Sequence, residues 1–278
     1  RTAVLQASHD RSKGRSQMKV RLLNENLVSD LCWLAEWGFS AWIEYKDIRI
    51  LFDTGFSDVW RRNAETAEIN LETADVVALS HFHSDHTRGL LFHPFKDRKR
   101  LILHPRVMTA LLDPFIEPAD LDAPHRYAEI EARIRSDFEI IEAAEPLEFA
   151  PGAFFLGQVP RVTSFERGRY YEDPMEDDSA LAFRTEKGTV VVTGCSHSGI
   201  CNICIHAREV TGQPLHAVIG GFHLVHPEKP AVEETIEWFR AEKIPRLLPV
   251  HCISFDIQGR LQNEFGYARP GAGSLIEI

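Results

Sequence analysis

Short apolar runs that end abruptly in histidine or aspartate recur along this chain. Asp75-Val76-Val77-Ala78-Leu79-Ser80 has the length of a buried strand, with Glu72-Thr73-Ala74 before it and His81-Phe82-His83-Ser84-Asp85-His86 after it. Phe39–Tyr45 alternates and predicts a strand. Ile48–Phe52 predicts its hairpin partner, with Lys46-Asp47 as the turn and Asp53-Thr54-Gly55 at the exit. Lys19–Leu23, Arg100–Leu103, Phe138–Ile141 and Ala153–Val159 predict further strands. Ser179–Thr185 and Thr189–Thr193 predict a second hairpin, turning at Lys187-Gly188 and leading into Gly194-Cys195-Ser196-His197-Ser198-Gly199. His216–Ile219 runs into Gly220-Gly221-Phe222-His223, and Arg246–Val250 into His251-Cys252. Helices are predicted over Val59–Ala67, Ile200–Val210 (closed by Thr211-Gly212) and Ala231–Lys243, with a short one opening at Thr87.

The repeated unit is a strand, a His or Asp at its C-terminal tip, and then a helix. It occurs at Asp53, at His81–His86, at His197, at His223 and at His251. A histidine satisfied inside a core has no reason to recur at strand tips, whereas α/β sheets place their sites there. Imidazole and carboxylate suit zinc, iron or manganese. His81 and His83 can aim at one ion from a turning loop, and Asp85 and His86 at a second. The competing reading of this hexapeptide is a polar surface loop. Asp53 alone reads equally as an Asx turn without chemistry. His104, followed by Pro105, reads equally as a turn residue and as a functional one.

Composition narrows the classes. The chain has 278 residues, 44% apolar and 26% charged, enough for a full core. A net charge of −10 argues against a nucleic-acid-binding face, but not against an anionic substrate held by metal ions. No apolar run approaches the ~20 residues that span a bilayer, so no membrane partner is expected. Five cysteines, an odd number, predict no disulfide framework and a reducing, cytoplasmic setting. Residues 1–17 are polar and non-periodic. They are expected to be a disordered leader or an expression remnant, which sets His9 aside. Residues 18–278 contain no linker and predict one domain. Residues 113–136, with Pro114, Pro118 and Pro124 before a charged helical segment, predict an inserted lid. Residues 166–179 predict a solvated loop, although Tyr170 and Tyr171 could face a substrate. Cys201-Asn202-Ile203-Cys204 predicts packed thiols more readily than a metal or redox pair.

With these residues in hand, the chain resembles the metallo-β-lactamase superfamily. His81–His86 has its H-x-H-x-D-H motif, Asp53-Thr54-Gly55 its early Asp motif, and His251 its last histidine. Trp37-Gly38-Phe39-Ser40, Leu51–Gly55, Asn63-Ala64, Thr193–Asn202 and Gly220–Leu224 are similar to one branch, the 7,8-dihydropterin-6-methyl-4-(β-D-ribofuranosyl)aminobenzene-5′-phosphate synthases. The resemblance implies an α/β fold, a four-layer αββα sandwich with two divalent metal ions at one edge. Zinc is the first expectation, with manganese or iron as alternatives. His81 and His83 would bind the first ion, joined by His197 displaced from its usual loop. Asp85, His86 and His251 would bind the second. Cys195 stands where the superfamily has a bridging Asp, and could be a soft ligand, a neighbour of the ligands or a packed thiol. Arg88 replaces a branch glycine, and would meet a substrate phosphate or a nearby acid. Asp85, Asp53 and His223 are the expected catalytic residues, Asp53 by orienting a ligand or water and His223 as a general acid or phosphate holder. The expected activity is metal-dependent hydrolysis of an anionic, phosphate-bearing small molecule by a water activated between two metals. The alternatives are a synthase-type transferase and a non-catalytic metal-binding regulator. The expected partners are the small anionic substrate and, as an option, a second copy of the chain.

Overall fold

Two hairpins and a series of parallel crossovers sort the strands into two sheets. The computed structural model describes residues 18–110, 123–167, 173–225, 231–267 and 269–278. The first sheet contains β1 (Met18–Asn24), β2 (Ser40–Tyr45), β3 (Ile48–Phe52), β4 (Val76–Ala78), β5 (Lys99–Leu103), β6 (Phe138–Glu142) and β13 (Leu275–Glu277). Its order is β13-β1-β2-β3-β4-β5-β6. The second contains β7 (Leu147–Ala150), β8 (Ala153–Phe155), β9 (Ala180–Thr185), β10 (Gly188–Thr193), β11 (Leu215–Gly221) and β12 (Arg246–Val250), in the order β12-β11-β10-β9-β8-β7. Strands β3 to β6 run parallel, as do β10, β11 and β12.

The side-chain pattern explains the layers. Along β3, Ile50 and Phe52 point into the core between the sheets while Leu51 points outward. Val190 and Val192 of β10 likewise point inward, and Val191 outward. These strands read as unbroken apolar runs because both faces are covered. Helices α1 (Val59–Thr66), α3 (Pro105–Ala110) and α4 (Ala123–Asp137) lie on the outer face of the first sheet. The second sheet is covered by α5 (Ile200–Thr211), α6 (Ala231–Glu242) and α7 (Phe255–Phe265). The result is the expected αββα sandwich. Between β4 and β5 lies α2 (Ser84–Thr87), a single turn.

Several expectations need qualification. The leader 1–17 lies outside the described residues, as do Tyr170, Tyr171 and residues 113–122 of the expected lid. The remainder of that segment belongs to α4, whose Ile130 and Ile134 are buried in the outer core. The 166–179 stretch is not simply solvated. Glu166, Asp173, Asp177 and Asp178 are all buried, because their carboxylates accept backbone hydrogen bonds. Strands β7 and β13 were not expected, and β8 is shorter than predicted. Among the described residues, no helix is long and apolar enough to cross a membrane. All five cysteines are free, and Cys201 and Cys204 pack inside α5 against the second sheet.

Candidate metal centre

Five chain segments leave the C-terminal ends of β3, β4, β10, β11 and β12 at one edge of the sandwich. They carry Asp53, His81–His86, Cys195 with His197, His223 and His251. Their backbones turn sharply. Asp53, Ser196, His223 and His251 have φ of 55°, 65°, 49° and 55°, left-handed values that non-glycine residues rarely adopt. Such strain persists only where surrounding contacts over-determine it, and it concentrates at functional sites. Gly194 allows the Cys195 loop to cross close behind the centre. A Cβ there would lie 2.2 Å from Ser80 Oγ and 2.9 Å from Asp53 Oδ2.

The donors fall into two adjoining sets. His81, His83 and His197 form one; Asp85, His86, Cys195 and His251 form the other, with the donor atoms of each set within 4.8 Å of one another. The sets touch, since the His81 and His86 ring centroids lie 4.2 Å apart. All of these side chains are buried except Asp85, which is partly exposed. The sequence-based assignment of His81, His83 and His197 to one position, and of Asp85, His86 and His251 to the other, therefore coincides with their spatial grouping. The structure also puts Cys195 Sγ within the second set, 3.2 Å from His86 Nε2.

Hydrogen bonds behind the rings dictate which nitrogens face the cavity. Asp53 Oδ2 accepts from His86 Nδ1 at 2.7 Å and from Ser80 Oγ at 2.7 Å, and Asp53 Oδ1 accepts from Ser80 N at 2.7 Å. The Ser80 hydroxyl has one proton. Given to Asp53, it leaves the oxygen to accept from His81 Nδ1, 2.8 Å away. Asn26 Nδ2 donates to the His251 carbonyl at 3.0 Å, which turns Asn26 Oδ1 to accept from His251 Nδ1 at 3.1 Å. These bonds turn the Nδ1 atoms of His81, His86 and His251 outward and leave their Nε2 atoms directed inward. His86 Nε2 and His251 Nε2 are 3.3 Å apart, and Asp85 Oδ2 lies 3.6 Å from the first and 3.2 Å from the second. His81 Nε2 and His83 Nδ1 are 3.1 Å apart. The nitrogen–nitrogen edge of a tetrahedral zinc site is about 3.3 Å, given Zn–N bonds of about 2.0–2.1 Å. Ring nitrogens converging at that spacing fit a divalent cation between them.

Electrostatics separate the sets. Burial, reinforced by the neighbouring imidazoles, holds His81 and His197 well below the usual histidine range. Burial takes His83 down to about 3 although Asp85 pulls the other way. In the second set, burial alone would lower His86, but Asp85 and Asp53 outweigh it and raise the group to about 9. Burial would raise Asp85, yet His86 and His251 hold it below the usual carboxylate range. The Cys195 thiol is pushed up by burial.

Other expected residues take different places. Asp53 is wholly buried behind His86 and does not line the cavity. Both its oxygens are occupied by Ser80 and His86, so of the roles expected for it the geometry leaves orienting His86 rather than touching substrate. Arg88 is also absent from the cavity wall. Its guanidinium lies 4.6 Å over the Phe56 ring and donates to the Phe56 carbonyl at 2.9 Å. The expectation of a substrate phosphate contact is therefore replaced by a wall-bracing role. His104 Nδ1 accepts from Arg106 N at 3.1 Å, a turn contact. His223 is exposed on the cavity wall, its ring 4.2 Å from that of His197.

The sequence reading missed several supports. Asp177 Oδ2 accepts the Phe82 amide at 2.8 Å, between His81 and His83. Asp178 Oδ2 accepts the Ser198 amide at 2.8 Å and the Ser198 hydroxyl, beside His197. These adjacent acids hold both loops of the first set. Glu25 Oε1 accepts the His251 amide at 2.8 Å and Arg269 Nη2 at 2.8 Å. Only the Asp177-Asp178 doublet left a trace in the sequence, and its polar surroundings disguised it.

The cavity has a volume of about 440 Å³ and includes Trp37, Phe56, Ser84, Val225 and Cys252 beside the donors. Comparison with known proteins bears on what such a site means. Residues 38–236 match the metallo-beta-lactamase superfamily. A 7,8-dihydropterin-6-methyl-4-(beta-D-ribofuranosyl)-aminobenzene-5'-phosphate synthase of Methanocaldococcus jannaschii is 29% identical over 255 residues, covering 83% of this chain and 84% of the relative. An uncharacterised protein of the same organism is 31% identical over 260 residues, covering 88% and 95%. A solved structure described as a metal-dependent hydrolase of the β-lactamase superfamily superposes with a TM-score of 0.75 at 27% identity, covering 94% of this chain and 99% of that one. Sequence, architecture and the position of the donors agree, and the chain belongs to the metallo-β-lactamase superfamily.

Proposed function

We propose that this protein is a metal-dependent hydrolase of a small anionic substrate, most simply a phosphate ester, working at two adjacent cation positions. The observation that carries the reading is the pair of donor sets opening onto one cavity, with imidazole Nε2 atoms turned inward by Asp53, Ser80 and Asn26. Zinc suits the borderline nitrogen, carboxylate and thiol donors; manganese and iron are the alternatives. Divalent cations bound there would polarise a phosphoryl oxygen and acidify water. The protein's own residues do the rest. Asp53 fixes His86 directly and His81 through Ser80. Asn26 and Glu25 fix the His251 loop. Asp85 brings the one carboxylate of the donor sets to the cavity, so that two divalent ions would leave an excess of positive charge for an anion. His223, on the wall and exposed, would pass a proton to the departing oxygen or hold a phosphate oxygen. The solved relative described as a metal-dependent hydrolase supports this reading.

A transferase reading is supported by the synthase relative, which is matched over most of both chains. The two are separated by giving reconstituted protein a panel of phosphomonoesters, phosphodiesters and lactones, and in parallel a dihydropterin with a ribofuranosylaminobenzene phosphate. Hydrolysis predicts release of phosphate or alcohol and no joined product. His81→Ala and Asp85→Ala should each lower turnover about 100–1,000-fold, the scale on which lost electrostatic stabilisation acts. Unchanged turnover in both variants would refute catalysis at this centre, and less than one bound ion per chain after reconstitution would refute the two-cation arrangement.

A further inference from the structure

Two aromatic side chains on the cavity wall have no part in holding a cation. Trp37 is 61% exposed, one of the large apolar side chains that the fold leaves in solvent. Its indole packs against the His251 ring, with centroids 5.3 Å apart. Phe56, half-buried, lines the same cavity. An exposed indole on a loose loop would mean little. This one sits on a pinned segment. Glu36, the residue before it, accepts from the Phe56 amide at 3.1 Å, the Ser57 amide at 2.9 Å and the Ser57 hydroxyl at 2.5 Å. Gly38, the residue after it, donates to Asn26 Oδ1 at 3.2 Å. One carboxylate therefore ties the Trp37 segment to the Phe56 segment, while Arg88 braces the Phe56 ring. The remaining apolar wall is Val225. Rigid aromatic surfaces beside a charged centre lose little entropy on binding a flat ring, and ring-on-ring contact favours a planar π-system over a saturated ring of the same size.

We propose that Trp37 and Phe56 form a subsite for a flat aromatic or heteroaromatic ring, so that the substrate joins such a ring to the anionic group received at the metal centre. The anionic half of this assignment rests on the function proposed above; the ring half does not.

The test uses 2-phenylethyl phosphate and 2-cyclohexylethyl phosphate, whose leaving alcohols are alike and whose rings differ in planarity. Metal-reconstituted wild type should show a KM about fivefold lower for the phenyl ester, the scale of one aromatic contact. Trp37→Leu and Phe56→Leu should each reduce that preference, and Trp37→Phe should retain it. The ratio of two KM values is independent of the active fraction, so partial unfolding or metal loss in a variant leaves it readable. Equal KM values in wild type, or a preference that survives both leucine variants, would overturn the assignment. If neither ester is turned over, the subsite is judged by binding alone, and the hydrolase reading by the wider panel above. The phenyl ester should then quench the Trp37 share of the fluorescence, the difference between wild type and Trp37→Phe, at a lower concentration than the cyclohexyl ester. Equal quenching by both would overturn it.

Discussion

The two halves of the candidate metal centre present their donors with opposite electrostatics. His81, His83 and His197 are neutral donors kept neutral by burial. Their loops are held at arm's length, by Asp177 and Asp178 bonding backbone amides at Phe82 and Ser198. The other half is charged. Asp85 faces His86 and His251, and Asp53 bonds His86 directly. In the absence of a cation, the second half stabilises itself by keeping a proton on His86. The first half has no such substitute. On the two-cation reading, the difference teaches that a cation would enter the first half among neutral imidazoles and the second by displacing a proton.

The sharpest way to break this contrast is Asp53→Ala, because Asp53 serves both halves. It would leave His86 Nδ1 and Ser80 without their acceptor in a buried setting. Loss of such an outer hydrogen-bond partner lowers metal affinity about 10–100-fold. We expect the larger part of that loss at the second half, measured by competition with a chromophoric chelator, and a smaller part at the first, which Asp53 reaches only through Ser80. Equal losses would mean that Ser80, and not His86, carries the effect. Asp178→Ala reverses the target. It strands the buried Ser198 amide and hydroxyl, at a cost of about 1–3 kcal/mol for each buried group left unpaired. It should weaken the first half while the second keeps its affinity.

Next in size is the response to pH. The folded His86 pKa is raised to about 9 against an ordinary value near 6.5. The proton therefore favours the metal-free fold. That contribution is fully present below about pH 6.5 and is lost as pH rises through about 9. The same proton competes with a cation at the second half. Its apparent affinity should rise up to tenfold per pH unit between about 6.5 and 9 through His86, with close to one proton released from His86 at pH 7 and a second from Cys195 where its thiol ligates. Binding at the first half should release none over this range, because its histidines are already neutral. Calorimetry in buffers of different ionisation enthalpy measures both. A release of one proton at each half would erase the distinction.

Residues differ in how far their roles could be read from the chain. The tips of β3, β4, β10, β11 and β12 were legible because a run buried on both faces is apolar without interruption, so a histidine at its end stands out. The pairing of His81 and His83 with His197, and of Asp85 and His86 with His251, followed once the tips were aligned with the superfamily. Strands β7 and β13 were illegible. Both are short, partly exposed edge strands; β7 pairs with the adjacent β8, and β13 pairs with β1 at the far end of the chain. The left-handed backbone at His223 and His251 was equally hidden, since no glycine marks those positions. Asp177 and Asp178 looked like solvated charges because burial of an acid depends on which amides the fold brings to it. Arg88 misled in the opposite direction. Its sequence position beside the ligands suggested a phosphate contact, but its side chain turns to Phe56. Proximity along the chain fixes where a Cα lies and not which way a long side chain leaves it.

The smallest expected effect tests the one donor that makes the second half chemically distinct. Cys195 Sγ is 3.2 Å from His86 Nε2 and its thiol is pushed up by burial, so without a cation it is a neutral, packed group. Cys195→Ser preserves volume closely and should leave thermal stability of the metal-free protein nearly unchanged. A cation would favour the thiolate, and a thiolate prefers soft ions. Wild type should thus bind cadmium more tightly relative to zinc than Cys195→Ser does, with the change confined to the second half. A severalfold fall in that ratio makes Cys195 a ligand. An unchanged ratio, together with unchanged stability, makes it a packed thiol and leaves the second half with Asp85, His86 and His251 alone. In that case the two halves would differ only in charge, and the thiol would have no share in which metal each one takes.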